Sequence, residues 1–158
     1  MIFVKIVTWN INGVKALIDN LLHWLKESDP VIISEKAWRM GERLGYNVAT
    51  HGQKGFNGVA ILSKLPFDEI NRGLPGDDGD EQARFIEGVF STKKGALRVV
   101  SLYLPNGNPV GTEKYAYKLA WMRRLERWAA ERLALEEPLV LAGDYNVIPM
   151  PADARNPE

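Results

Sequence analysis

Cysteine is absent from the 158 residues, and histidine occurs only as His23 and His51. The first absence excludes disulfides, zinc–thiolate sites, iron–sulfur clusters and a cysteine nucleophile; the second excludes a polyhistidine metal cage. No apolar run reaches the roughly 18 residues of a membrane-spanning helix, and the chain opens on a strand-like pattern rather than a signal peptide. The expectation is a cytoplasmic protein with no membrane partner. An excess of charge of one sign is also missing: 20 Lys and Arg balance 20 Asp and Glu. The overall field therefore does not steer the protein to nucleic acid or membrane. The balance is local rather than uniform, since residues 93–132 carry nine Lys or Arg against three Glu, while Asp77, Asp78, Asp80 and Glu81 cluster. A neutral protein can still hold phosphates with such a patch, although the acidic run fits no EF-hand spacing and reads as a solvated turn.

What is present is a globular composition, 46% hydrophobic and 25% charged. The length suits one domain of about 100–200 residues, large enough to bury roughly 68–70% of its unfolded surface. Strand patterns fall at 1–9, 31–34, 46–50, 58–63, 67–72, 85–91, 97–104 and 139–142. Helical periodicity falls at 14–27, at 36–44 and at 112–135. Along the last helix Tyr115, Leu119, Met122, Leu125, Ala129 and Leu133 are expected to form the apolar stripe, with Trp121 and Trp128 as core or interface aromatics. Glycine and proline punctuate the junctions, as at Leu65-Pro66, 73–79 and Lys94-Gly95. The tail beyond Ile148 holds three prolines and little that is apolar, and is expected to be loose. Several strands are apolar on both faces and need cover on both. The helices suffice for one face, so the expectation is an α/β fold with a mixed sheet, helices on one face and the other face bare.

Polar residues recur where strands end: Asn10, Glu35, Tyr103, Asp144 and Asn146. In layered α/β sheets ligands gather outside strand ends, where residues distant in sequence converge. Carboxylates, amides and a phenol suit a hard cation such as Mg²⁺, which prefers oxygen donors and shares them with substrate phosphates.

Longer motifs sharpen this. Thr8-Trp9-Asn10-Ile11-Asn12-Gly13, the stretch 51–62 beginning His51-Gly52-Gln53-Lys54-Gly55, the stretch 73–78, Tyr103-Leu104-Pro105-Asn106-Gly107 and Gly143-Asp144-Tyr145-Asn146-Val147 resemble, in order, the exodeoxyribonuclease III family. This is the apurinic/apyrimidinic endonuclease branch of the exonuclease–endonuclease–phosphatase superfamily. The resemblance implies half of a duplicated four-layer α/β sandwich, with residues 1–148 as the N-terminal half and 149–158 as tail. It implies a Mg²⁺-dependent DNA phosphodiesterase (Mn²⁺ being the alternative metal) acting as an apurinic/apyrimidinic endonuclease and 3′ exonuclease in DNA repair. By that resemblance Asn10 and Glu35 bind metal, Tyr103 lies near the scissile phosphate, Asp144 orients or deprotonates the attacking water, and Asn146 contacts phosphate. Arg84, Lys54 and Gln53 would meet the DNA backbone. The sequence departs from the family in a shortened segment after Glu35, and it lacks the later Asp/Asn segment and the C-terminal Ser-Asp-His motif. Two readings follow: a nuclease with an incomplete site, or an inactive truncated homologue that forms a homodimer through the bare sheet face.

Overall fold

A computed structural model describes residues 4–8, 23, 24, 27, 32–34, 45–54 and 57–153. Within them the strands are β1 (Ile6–Thr8), β2 (Ile32–Ser34), β3 (Asn47–Gly52), β4 (Gly58–Ser63), β5 (Glu69–Arg72), β6 (Phe85–Thr92), β7 (Gly95–Tyr103) and β8 (Leu139–Asp144). A helix, α1 (Glu113–Leu133), lies between β7 and β8, and a 3₁₀ turn follows at Pro151–Asp153. The strand positions match those read from periodicity. Their assembly adds something periodicity does not carry: they form two sheets. One has the order β1-β2-β4-β3 and the other β5-β6-β7-β8. Both are mixed. β1 and β2 run parallel, with β4 antiparallel to both β2 and β3. β5, β6 and β7 form an antiparallel meander, and β8 lies parallel to β7. A parallel neighbour needs a long crossover. α1 supplies it, its 21 residues spanning about 32 Å.

The two sheets stack face to face. Ala49, Val59 and Ile61 of the first pack with Ile86, Phe90, Leu97 and Val99 of the second in one buried cluster. Alternation along β6 explains how one strand serves two cores. Ile86 and Phe90 point to the other sheet, while Phe85 points to α1, where it joins Val100, Leu102, Leu104, Trp121, Leu125 and Trp128. Phe85 meets Trp128 edge-on, with centroids 5.0 Å apart, a favourable aromatic geometry. On the sheet-to-sheet side Gly88 leaves room for Phe67, whose Cε1 lies 2.9 Å from where a Cβ would stand. Polar ties reinforce the stacking. His51 Nδ1 lies 3.0 Å from the Phe85 carbonyl and must donate to it, because a carbonyl only accepts. Arg72 Nε donates to the Thr50 carbonyl at 2.7 Å. At the periphery of the helix side, the buried Glu87 carboxylate accepts from Arg98 and Asn71, and Arg98 also reaches Glu137. Burial pulls the Arg98 pKa down, but the bonds and charges of Glu137 and Glu87 outweigh it, so the net shift is upward.

This stacking corrects one expectation. Among the described residues the face expected to be bare is covered by the chain's own second sheet, and the proposed homodimer through that face loses its physical ground. The buried stripe of α1 also differs from expectation. Trp121, Arg124, Leu125 and Trp128 face inward, whereas Met122 and Leu133 are exposed. Thr112 takes the N-cap position, with its hydroxyl donating to the Pro109 carbonyl instead of capping the helix. His23 is exposed and pairs with Glu27 one helical turn on, as a surface residue would.

Candidate active site

Parallel pairing of β7 with β8 sets Tyr103 beside Asp144 at the strands' C-terminal ends. Residues in register across a parallel pair project to the same face, and Tyr103 packs against the cluster between the sheets, so Asp144 projects there too. The close approach depends on Gly143. Its φ is +138°, and a Cβ there would stand 1.9 Å from the Leu102 carbonyl oxygen. Beyond the strands the Leu104 N–H donates to the Asp144 carbonyl at 2.8 Å. The chain then turns at Asn146, φ +46°, a left-handed conformation that asparagine tolerates. Asn146 is fixed twice: its N–H donates to Asp144 Oδ1 at 2.8 Å, and its Nδ2 to the Leu104 carbonyl at 2.7 Å. The first of these bonds also orients the Asp144 carboxylate. Tyr145 points away, donating to the Leu141 carbonyl, and burial raises its phenol pKa. A cleft of about 470 Å³ opens here, lined by Asn106, Asn108 and residues 143–148.

Arg84 joins from the start of β6. Its carbonyl accepts the Tyr103 N–H at 2.8 Å, its Nη1 donates to the Tyr103 carbonyl at 3.2 Å, and its guanidinium lies 4.9 Å from the Tyr103 ring centroid. Its Nε donates to Gln82 Oε1 at 2.6 Å, and Gln82 Oε1 also accepts from Asn57. A cation is thereby held over the face of an aromatic ring whose own register neighbour is Asp144, an arrangement suited to a phosphate group.

The loop carrying Gln82 and Arg84 is pinned to α1 by Arg124. That guanidinium donates to the carbonyls of Leu74 (2.7 Å) and Pro75 (3.4 Å), and to Asp80 Oδ2 (3.0 Å) and Asp77 Oδ2 (3.4 Å). The acidic run is therefore not uniformly solvated. The Asp77 side chain is 53% exposed, but that of Asp80 is 4% exposed and also accepts from the Tyr117 hydroxyl and the Gln82 N–H.

Burial raises the Tyr117 pKa, and the hydrogen bond to Asp80 and its charge add to this against the opposing charges of Arg84 and Arg124. A raised tyrosine pKa favours the neutral phenol in the folded state. Its stabilisation is complete below the ordinary value of 10.0 and is lost as pH climbs from there towards the folded value. Denaturation of wild type and Tyr117→Phe should accordingly run parallel below about pH 9, with wild type falling more steeply above about pH 10. Parallel curves throughout would show that this phenol is not held neutral by folding.

Of the residues singled out from sequence, Tyr103, Asp144, Asn146 and Arg84 come together. Gln53 braces the Arg84 loop, its Oε1 accepting the Ala83 N–H at 2.7 Å. Lys54 is exposed in the bend after β3. Asn10 and Glu35 lie outside the described residues. Among the described residues no three carboxylate or imidazole groups gather as a metal cage, so Asp144 is the carboxylate this corner supplies. Sequence reasoning missed Gln82, Asp80 and Arg124. No sequence signal marked Arg124, because the apolar stripe expected along the helix leaves it off the buried side.

Two stacked mixed sheets, an outer helix and a polar site at the ends of parallel strands define a layered α/β class with its polar residues gathered outside the strand ends. More specifically, the sequence profile of the Endonuclease/Exonuclease/phosphatase family matches residues 7–158, and the chain belongs to that family. It is 32% identical to the exodeoxyribonuclease III of Haemophilus influenzae over 159 residues, covering 94% of this chain and 60% of that protein. It is 28% identical to an exodeoxyribonuclease of Bacillus subtilis, covering 98% of this chain and 63% of that protein. Among solved structures, the 3′ phosphatase NExo from Neisseria, bound to a product DNA hairpin, superimposes with a TM-score of 0.88 at 28% identity. An AP endonuclease from Archaeoglobus fulgidus superimposes with a TM-score of 0.85 at 31% identity. Each structure is matched over 98% of this chain and 62% of the other. The chain thus spans about 60% of the length of the curated relatives it matches. No helix among the described residues is long and apolar enough to cross a membrane.

Proposed function

We propose that this chain carries part of a Mg²⁺-dependent DNA phosphodiesterase site of the exodeoxyribonuclease III type, acting at abasic sites and 3′ ends. The observation that carries this reading is the register of Tyr103 against Asp144, with Asn146 bonded to the Asp144 carboxylate and Arg84 stacked on Tyr103. Asp144 accepts a proton from the attacking water as the water oxygen bonds to phosphorus and the P–O bond to the leaving oxygen breaks. Tyr103 and Asn146 border the phosphate, and Arg84 balances its negative charge, aided from the next loop by Lys54. Glu35 and Asn10 are the residues we assign to hold Mg²⁺. When bound, the ion neutralises charge developing on the phosphate.

The test is nicking of an abasic-site duplex across a Mg²⁺ titration. Glu35→Ala should demand more Mg²⁺ and cut more slowly by about 10²-fold or more. Cleavage that depends on neither Glu35 nor Asp144 belongs to a contaminating nuclease and ends the proposal.

A further inference from the structure

The α1 lysine at 118 reaches both loops that border the cleft. Its Nζ donates to the Asn146 carbonyl at 2.6 Å and to the Asn106 carbonyl at 3.2 Å. The first acceptor belongs to the turn after β8, the second to the loop after β7. They are 40 positions apart in sequence and share this one ammonium group. A second, independent feature matches it. Gly107 has φ +77°, and a Cβ there would stand 2.5 Å from Lys118 Cδ and 3.0 Å from its Cβ. The loop therefore leaves room for the lysine stem where any other residue would obstruct it.

We propose that Lys118 is a positioning residue, a strap that locks the Asp144–Asn146 turn against the Tyr103–Gly107 loop. Charge-assisted bonds are the stronger kind, and both acceptors here are main-chain carbonyls whose positions set their neighbours. Fixing the Asn146 carbonyl stabilises that residue's left-handed conformation. This holds the Asn146 N–H on Asp144 Oδ1, so the lysine governs the orientation of the carboxylate without approaching substrate. That catalytic consequence rests on the function proposed above, whereas the strap itself does not. Misplacing a catalytic group by about 1 Å can cost on the order of 10²-fold in rate. Because the strap orients the reacting group and does not bind substrate, the loss falls on kcat and leaves KM nearly unchanged.

The experiment compares wild type with Lys118→Met, Lys118→Arg and Gly107→Ala by residue-resolved amide hydrogen exchange, and by turnover on an abasic-site duplex. Lys118→Met should speed exchange at the Asn146 and Leu104 amides by about tenfold or more, with amides in the middle of β6 and β7 unchanged. Lys118→Arg, which keeps a cationic donor, should restore most of the protection. Gly107→Ala, which keeps the cation but displaces its stem, should mimic the loss. Turnover should show kcat down by about 10²-fold in Lys118→Met with KM within about twofold, and recovery in Lys118→Arg. Unchanged exchange at both amides overturns the strap, as does an equal rise across the β6–β7 core, which would mark a merely structural side chain. Local loss of protection in a chain whose every variant fails to cut DNA upholds the strap and discards the nuclease reading.

Discussion

Replacing Asp144 with Asn is expected to lower phosphodiester cleavage by about 10³-fold, within the roughly 10²–10⁴-fold range of general-base catalysis, while leaving the fold intact. The substitution is close to isosteric, and the new side-chain oxygen can still accept the Asn146 N–H that now ends on Asp144 Oδ1 at 2.8 Å. The main-chain bond from Leu104 to the Asp144 carbonyl involves no side-chain atom and persists. What disappears is the basicity and negative charge at the end of β8. Stability and chemistry therefore separate at this position, and the comparison needs two measurements: turnover on an abasic-site duplex, and the denaturant midpoint. A loss of less than about tenfold with an unchanged midpoint would remove Asp144 from the proton-accepting role. A shifted midpoint would show that the carboxylate's charge, and not only its shape, holds the turn. Asp144→Ala removes the acceptor as well, and should lower stability by about 1 kcal/mol beyond the Asn variant.

Element positions were legible in the sequence because the relevant signals are local. A short, nearly continuous apolar run marked β4 at 58–63, turn residues bounded β6 and β7, and a helical period marked α1. The partition into two sheets was not legible. β4 and β5 are separated only by Lys64–Asp68, yet they belong to different sheets. A strand apolar on both faces looks the same whether its second face meets a helix, another sheet or a second molecule. That ambiguity produced the bare face and the homodimer built on it. The corner of the site formed by Tyr103, Asp144 and Asn146 was legible through the resemblance of short motifs around them. Its supports were not, because Arg124 and Asp80 act across 37 to 50 positions and Gln82 meets Asn57 across 25, and such pairings belong to no local pattern. Charge on a helix normally signals solvent, and Arg124 breaks that rule only because a loop brings carbonyls and carboxylates to meet it.

Arg124→Met is expected to lower stability by about 3–5 kcal/mol, as for other buried ion pairs deprived of one partner. Methionine preserves most of the side-chain volume, so packing contributes little to the effect. The cost comes from what the guanidinium leaves behind: the carbonyls of Leu74 and Pro75, and an Asp80 carboxylate that is 4% exposed. Tyr117 and the Gln82 N–H still donate to Asp80, but neither neutralises its charge. Lysine is no substitute, since a single ammonium cannot span four acceptors that the planar fork reaches together. For a chain of this size the loss corresponds to a fall in Tm on the order of 10 °C. The cause can be isolated with a second change. If the unpaired carboxylate is responsible, Arg124→Met with Asp80→Asn should regain a good part of the stability, although Asp80→Asn alone is destabilising. If packing were responsible, the two losses would add. The same variant also bears on the site, because the loop held by Arg124 carries Gln82, and Gln82 holds the Arg84 guanidinium beside Tyr103. Weaker binding of a DNA duplex by Arg124→Met, measured well below its melting range, would show that this buried pair sets the aim of Arg84 as well as the stability of the loop.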